Sequence, residues 1–194
     1  MKKIAITGNI GSGKSWVCAL FEHCLGIPVY NSDDMAKRMY FLPEVRQQLE
    51  RRFGSDFYIS DTLLNRKHIA DVIFNDESAQ HDLEAILYPS LFNDFELWAE
   101  EQKSDYVLFE SALVFEKHLE DRFDAIVLVT ATEETRLRRA MLRDHCDAET
   151  IKQRMAKQWP EDKKLALADY VIQHENDDED EALLEQIVLL NDLF

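Results

Sequence analysis

Glycine is scarce in this chain, and three of its five glycines lie within residues 8–13. Because glycine is favoured where the backbone needs unusual angles or must come close to a ligand, this distribution indicates a loop with a special task. Cysteine is also rare, and Cys18, Cys24 and Cys146 show no C-x-x-C spacing. We interpret them as free thiols in a reducing cytosol rather than as zinc ligands. The histidines have no paired spacing, so no metal is assigned to them.

Long apolar runs are lacking as well, and basic residues are outnumbered by acidic ones. No run approaches the roughly 18 residues of a membrane-spanning helix, so we expect no membrane partner. The first strand begins almost at the N-terminus, so we expect no secretory signal and a cytoplasmic protein. With 22 basic against 38 acidic residues the formal charge is −16. A nucleic-acid partner is therefore not expected, because phosphate contacts need a basic surface.

The clearest motif follows an apolar stretch, residues 4–7, which we predict to be a buried strand. Residues 8–15, GNIGSGKS, fit the phosphate-binding pattern G-x-x-x-x-G-K-[ST], and a helical pattern begins after them. A glycine-rich turn after a strand is the alternative. Glycines let backbone N–H groups approach phosphate oxygens, and the positive end of the helix dipole faces the anion. The residues that we assign to ATP by this reasoning are Gly8, Gly11, Ser12, Gly13, Lys14 and Ser15, with Trp16 beside them.

Strands and helices alternate along the chain, which predicts an α/β fold: a five-stranded parallel sheet flanked by helices. The predicted strands are 4–7, 27–30, 106–109, 124–129 and 170–172. Residues 43–101 interrupt this rhythm and are predicted to be an all-helical insertion, in which Pro89 should kink or break a long helix. Further helices are expected to start at Asn65, Thr132 and Asp147.

Several side chains are candidates for chemistry in such a fold. Asp33 follows the second strand, where a carboxylate can take a proton from an attacking hydroxyl, although it could instead cap a helix. Glu110 ends the third strand, where an acid can organise magnesium, although it could be a surface acid. Arg136, Arg139 and Arg143 recur on one helix face within 136–164, which carries nine basic and five acidic residues. They could stabilise a transferring phosphoryl group from a lid, or form an ordinary solvated face.

The chain resembles the dephospho-CoA kinase family over nearly its whole length. Residues 8–15 resemble that family's G-G-I-G-S-G-K-S, and residues 32–37 its A-D-x-x-A-R/K segment. Residues 113–116 resemble L-L-F-E, and 136–144 resemble the family's lid helix. Further matches to R-x-x-x-Q…K…A-D-x-V-I are Arg154, Gln158, Lys164 and 168–172.

The resemblance implies a P-loop kinase fold with a helical acceptor-binding insertion and a helical lid. Its parts would be a core (about 1–42, 104–135 and 168–194), an acceptor (CoA) subdomain (about 43–103) and a lid (about 136–167). It implies phosphorylation of the ribose 3′-hydroxyl of dephospho-CoA by ATP with Mg²⁺, the last step of coenzyme A synthesis.

In that scheme Asp33, Lys14 and Arg139 are catalytic, Arg139 and Arg143 contact ATP, and Ser15 ligates magnesium. The residues expected at the acceptor are Asp33, Lys37, Tyr88, Glu110, Leu113, Glu116 and Arg154.

The sequence departs from the family pattern around the acceptor and the adenine. Asn31 stands where an acid is usual, Tyr88 replaces the histidine of L-H-P, and Ala112 replaces the proline of D-x-P. Near the adenine, residues 173–176 (including Glu175 and Asn176) replace the usual Asn-Gly. A P-loop kinase for another small acceptor, such as a nucleoside or nucleotide, is therefore the alternative. A nucleotide switch is disfavoured because none of the five glycines has an aspartate three residues before it. A non-catalytic nucleotide binder is disfavoured because Lys14, Ser15 and Asp33 are all present.

Overall fold

The computed structural model describes residues 1–76, 78–175 and 180–194 and divides them into two compact units. The sheet unit comprises Met1–Asn31 and Gln102–Phe194, and the insert unit comprises Ser32–Glu101. The elements in chain order are β1 (Lys2–Thr7), α1 (Lys14–Leu25), β2 (Val29–Asn31), α2 (Ser32–Met39), α3 (Pro43–Phe53), β3 (Tyr58–Ser60), β4 (Leu63–Leu64), α4 (Arg66–Asn75), α5 (Ala79–Glu100), β5 (Tyr106–Glu110), β6 (Ala125–Thr130), α6 (Glu133–Asp144), α7 (Ala148–Met155), α8 (Glu161–Leu165), β7 (Tyr170–Gln173) and α9 (Asp180–Asn191).

The sheet unit is built on five parallel strands in the order β2-β5-β1-β6-β7, which confirms the predicted fold class. The central strands are buried along most of their length, because helices cover both faces of such a sheet. Their apolar side chains pack with those of α1 and α9 into one core that includes Ile6, Phe21, Val129 and Ile187. A continuous apolar strand is therefore a reliable sequence signal here.

Strand register decides which side chains meet at the carboxyl edge of the sheet. In β5, Glu110 is in register with Ile6 of β1 on one side and with Asn31 of β2 on the other. The phosphate-binding motif begins directly after β1. The end of β5 therefore lies beside the start of the loop, as the parallel arrangement requires.

The insert unit corrects the prediction of an all-helical segment over 43–101. Strands β3 and β4 pair as an antiparallel hairpin within this segment. Strands of three and two residues are too short to show an alternating pattern in the sequence. Tyr58 stabilises the hairpin, since its ring packs on Phe57 and its hydroxyl donates to the Tyr40 carbonyl oxygen at 2.6 Å.

Pro89 does not break its helix, because α5 is continuous from Ala79 to Glu100. The proline removes one N–H donor, but Leu83, Leu87 and Leu91 on one face of α5 are all buried. Burial of this face stabilises the helix on both sides of the proline.

The predicted helix starts are confirmed where their caps are visible. The side chains of Asn65, Thr132 and Asp147 each accept a hydrogen bond from the backbone N–H three residues later. The proposed lid, residues 136–167, spans α6 to α8 and belongs to the sheet unit by its packing. Its ability to move stays a prediction. Among the helices that the structure describes, none is both long and apolar enough to cross a membrane.

Candidate active site

The loop between β1 and α1 has the backbone that its glycines predict. Gly11 and Gly13 adopt positive φ angles of 79° and 89°, which side chains other than glycine rarely tolerate. A Cβ atom at Gly11 would lie 2.1 Å from the Arg136 carbonyl oxygen, and one at Gly13 would lie 2.1 Å from Nδ1 of His174. The loop therefore needs glycine for two reasons, its conformation and the close packing of α6 and residue 174 around it.

The loop delivers the start of α1 to the site. Lys14 is the first residue of the helix and Ser15 the second. The first N–H groups of a helix have no partner within it, and the helix dipole makes this end positive. The start of α1 thus has the polarity that an anion requires, and the binding of ATP there stays a prediction. Trp16 follows in the same turn with 48% of its surface exposed.

Glu110 is the acid on which the loop side chains converge. Its Oε1 accepts hydrogen bonds from Nζ of Lys14 at 2.8 Å and from Oγ of Ser15 at 2.6 Å. Its Oε2 accepts from Nδ2 of Asn31 at 2.8 Å. Glu110 is only 5% exposed, so the surface-acid interpretation is wrong. The structure brings Lys14, Ser15 and Glu110 together, and it adds Asn31, which sequence reasoning noted only as a departure.

The donor set at this point suits magnesium. Mg²⁺ prefers oxygen ligands and is held by one or two protein oxygens with water and phosphate completing the shell. Ser15 Oγ and the Glu110 carboxylate are such oxygens and lie within hydrogen-bond distance of one another. Among the described residues there is no group of three or more His, Cys, Asp or Glu side chains arranged to hold a metal by themselves. Magnesium binding by the oxygens of Ser15 and Glu110 stays a prediction.

The three arginines of α6 have different surroundings. Arg136 is buried, and it donates from Nε to the Ala131 carbonyl and pairs with Glu161 at 3.3 Å. Arg139 reaches the loop, where Nη1 lies 3.4 Å from the Ser12 carbonyl oxygen and 2.7 Å from that of His174. The solvated-face interpretation is therefore wrong for Arg136 and Arg139.

Arg143 and Arg154 share one acid farther along the chain. Asp144 pairs with Arg143 at 2.7 Å and with Arg154. These two guanidinium groups lower the pKa of Asp144 to about 2. Arg143 is exposed, with 61% of its side chain accessible. Arg154 thereby joins α7 to α6, whereas the Arg143–Asp144 pair lies within α6. The roles of both arginines toward substrates stay predictions.

The insert unit contains three of the acceptor candidates, Asp33, Lys37 and Tyr88. Since α2 begins at Ser32, Asp33 lies within its first turn rather than at the capping position. Lys37 pairs with Asp34 at 2.7 Å on the surface. Burial raises the pKa of Tyr88, and the carboxylates of Glu84 and Asp33 raise it further. Asp33 is thus close enough to Tyr88 to act on it electrostatically within this unit.

Sequence reasoning gave little weight to a second polar cluster in the sheet unit. Lys164 is fully buried; its Nζ pairs with Oε1 of Glu116 at 2.7 Å and donates to the Ala112 carbonyl at 3.2 Å. Glu116 therefore has an internal partner, while Leu113 lies in the turn beside it, closed by an N–H bond from Lys117 to the Leu113 carbonyl. Only the match to the family pattern marked Lys164 in the sequence, and no local signal linked it to Glu116.

The region expected near the adenine is described as far as residue 175. The Glu175 carboxylate accepts from the hydroxyl groups of Thr132 and Thr135, and these bonds lower its pKa to about 2. Glu175 thereby joins the end of β7 to the start of α6. Asn176 lies outside the described residues.

Comparison with known proteins identifies one family. A family model described as dephospho-CoA kinase matches residues 2–180. A protein named dephospho-CoA kinase from Syntrophotalea carbinolica is 37% identical over 98% of this chain and 90% of its own. Another of that name, from Porphyromonas gingivalis, is 41% identical over 81% of this chain and 78% of its own.

Solved structures give the same fold. The protein TT1252 from Thermus thermophilus has a TM-score of 0.86 at 31% identity, over 100% of this chain and 98% of its own. A dephospho-CoA kinase from Campylobacter jejuni has a TM-score of 0.68 at 21% identity, over 98% of this chain and 96% of its own. Phosphate loop, sheet order and sequence likeness agree over almost the full length, and this chain belongs to the dephospho-CoA kinase family.

Proposed function

We propose that this protein transfers the γ-phosphoryl group of ATP to the ribose 3′-hydroxyl of dephospho-CoA, giving coenzyme A and ADP. The observation that carries the proposal is the convergence of Lys14 and Ser15 on Glu110 at the end of the phosphate loop. A phosphotransferase needs a cation for the transferring group beside oxygens for a metal. Membership of the family supports dephospho-CoA as the acceptor, and the reaction completes coenzyme A synthesis.

The loop binds the nucleotide in this proposal. Backbone N–H groups at the start of α1 hold the β- and γ-phosphates, and Lys14 exchanges its bond with Glu110 for one with a phosphate oxygen. Such an exchange costs little, because Glu110 keeps Ser15 and Asn31 as donors. Trp16 is proposed to lie near the nucleotide, since it is exposed in the same helical turn.

Magnesium fits the oxygens of Ser15 and Glu110, which would hold it directly or through water. When bound, the ion neutralises negative charge on the phosphates. The residues of the chain then position the ion and the nucleotide, and Lys14 stabilises the charge that grows during transfer.

The acceptor is proposed to be activated by Asp33. A ribose hydroxyl is a poor nucleophile and must lose its proton as the new bond forms. Asp33 lies two residues beyond β2, so the chain places it after the carboxyl end of a strand, where ligands of parallel sheets bind. Lys37, Tyr88, Leu113, Glu116 and Arg154 remain proposed acceptor contacts.

Arg139 is proposed to stabilise the transferring group, with help from Arg143. The proposal is supported by the position of its guanidinium group, whose Nη1 lies 3.4 Å from the Ser12 carbonyl oxygen of the loop. The lid role of residues 136–167 is part of the same proposal. We also propose a cytoplasmic location, which the free thiols of Cys18, Cys24 and Cys146 support.

A panel of acceptors incubated with ATP and magnesium tests the proposal by release of ADP. We expect dephospho-CoA to be the best acceptor. Turnover of a nucleoside or nucleotide with dephospho-CoA inert would instead favour a kinase for another small acceptor.

The Asp33→Asn variant tests the base. Asparagine keeps the shape but cannot take the proton, so kcat should fall by about 10²–10⁴-fold while MgATP binds as well as before. Near-normal turnover would exclude Asp33 as the base, and a large loss of MgATP affinity would make it a metal ligand instead.

A further inference from the structure

The tip of the phosphate loop is hydrogen-bonded to a side chain that lies 148 positions later in the sequence. The N–H group of Ile10 donates to Oε1 of Gln158 at 2.8 Å, and Nδ2 of Asn9 lies 3.3 Å from the Trp159 carbonyl oxygen. We infer that Gln158 is a positioning residue that holds the loop in its nucleotide-binding shape before ATP arrives. This inference rests on the proposed function, since it assumes that the loop binds ATP.

The loop has reason to need such a fastening. Three of its residues are glycines, and glycine loses more conformational freedom on ordering than any other residue. Within the loop, the Ser12 N–H group donates to the Asn9 carbonyl at 3.0 Å, which closes one turn around Ile10. A loop that is ordered in advance spares the entropy loss that would otherwise weaken nucleotide binding.

The N–H group of Ile10 also differs from those at the start of α1 in its hydrogen-bond partner. The first N–H groups of a helix have no helical partner and can turn to an anion. The Ile10 N–H group is already taken by Gln158. The protein thus divides the donors of the loop: the Ile10 N–H group fixes the tip, and the N–H groups of Lys14 and Ser15 at the start of α1 are the ones that can turn to the phosphates.

Gln158 is itself held in place by the buried cluster around Lys164. The next residue, Trp159, donates its N–H to Oε1 of Glu116 at 3.0 Å, and the same oxygen pairs with Lys164. Since Lys164 is fully buried and Glu116 nearly so, this anchor cannot shift without exposing a charge pair. The cluster therefore has a use, which is to keep residue 158 within reach of Ile10.

The opposite side of the loop is held by the same part of the chain. The backbone of Arg136 packs directly on Gly11, and Glu161 joins Arg136 to Thr130 at the end of β6. The two ends of the proposed lid thus rest on the loop, one through Arg136 and the other through Gln158. A change in the lid can reach the phosphates through these two contacts.

The Gln158→Met variant tests the inference, because methionine keeps the length of the side chain and removes the acceptor. We expect MgATP affinity by calorimetry to fall about five- to tenfold, the effect of one lost hydrogen bond to a part-buried donor. Amide hydrogen exchange at Ile10 should accelerate in the nucleotide-free protein. Gln158→Asn, which retracts the amide by one carbon, should show both effects with a smaller change in packing.

Two further variants separate positioning from a general loss of structure. Gln153→Met makes the same substitution on α7 at an exposed residue whose amide bonds to Glu149, and it should bind MgATP like the wild type. Gln158→Glu keeps an oxygen acceptor for Ile10, so its Ile10 amide should regain protection from exchange. A role in stability alone would lower the melting temperature of Gln158→Met without changing MgATP affinity of the folded protein.

The results that would overturn the inference are specific. MgATP affinity within twofold of wild type in both Gln158→Met and Gln158→Asn would do so, as would an Ile10 exchange rate that no Gln158 variant changes. An equal loss in Gln153→Met would also do so. Failure of the wild type itself to bind MgATP would instead overturn the proposed function, so the two failures can be told apart.

Discussion

Two lysine–glutamate pairs of the sheet unit, one partly and one fully buried at the lysine, differ in their surroundings. Lys14 pairs with Glu110 at 2.8 Å at the phosphate loop, and Lys164 pairs with Glu116 at 2.7 Å behind residues 158–159. The lysine side chains are 13% and 0% exposed, respectively. Chemically the pairs are alike, so their difference must come from what else surrounds each charge.

The two pairs differ in how well each glutamate would be satisfied if its lysine moved away. In the proposed exchange of Lys14 to a phosphate, Glu110 would keep two other donors, Ser15 and Asn31. Burial lowers the pKa of Lys164, which shows that its charge is costly to hold there, and Glu116 opposes that shift. An ion pair therefore marks a reactive site only when both partners can be satisfied after it opens.

Replacing Lys14 should have the largest effect on activity. Lys14→Met should lower kcat by at least about 10²–10³-fold, because the lysine stabilises charge that grows in the transition state. The free energy of unfolding should change little, since Glu110 keeps its other donors. ADP release at saturating ATP measures kcat, and urea denaturation measures the free energy of unfolding. Turnover close to that of the wild type would show that this loop is not the working site.

The same substitution at Lys164 should act on stability instead. Lys164→Met leaves the Glu116 carboxylate buried without its cation, which should reduce the free energy of unfolding by about 3–5 kcal/mol. The kcat of the folded fraction should fall far less than in Lys14→Met. Urea denaturation with a parallel rate assay checks both, and an unchanged stability would contradict the account of this pair.

Removing both charges of a pair sharpens the contrast. In Glu116→Gln/Lys164→Met no unpaired charge remains, and the new amide can still accept from the Trp159 N–H. Stability should return to within about 1–2 kcal/mol of the wild type. The matched double variant Glu110→Gln/Lys14→Met should regain no activity. Recovery of turnover there would mean that the loop pair is structural too.

The smallest expected effect is a pH dependence of stability. A lysine whose pKa is lowered in the folded state binds fewer protons there than in the unfolded chain, so stability rises with pH between the folded pKa and the ordinary value of 10.5. In Glu116→Gln this rise should begin at lower pH and be larger, because the supporting carboxylate is gone. Melting temperatures from neutral to alkaline pH, with Glu116→Gln/Lys164→Met as the control lacking this lysine, measure it. A flat difference between the two variants would contradict the prediction.

The part of the site that could be read from the sequence is the part that local chemistry dictates. The glycine spacing predicts the loop because Gly11 and Gly13 must adopt positive φ angles. Asn65, Thr132 and Asp147 were identifiable because a cap acts within one helical turn. The β3–β4 hairpin was not predicted because its strands are too short to show the alternation of apolar and polar residues that indicates a strand.

The sequence by itself determined the phosphate loop, the alternation of strands with helices, and the family. Each of these follows from short patterns in which neighbours along the chain constrain one another. Only the tertiary structure decided which partners the charged and polar groups take. The hydrogen bond between Lys14 and Glu110 joins residues 96 positions apart in the sequence, and the one between Ile10 and Gln158 joins residues 148 positions apart. Both contacts depend on strand register and helix packing. Because either lysine could have paired with many of the acids in the chain, burial and register, rather than residue type, decided which acid each lysine meets.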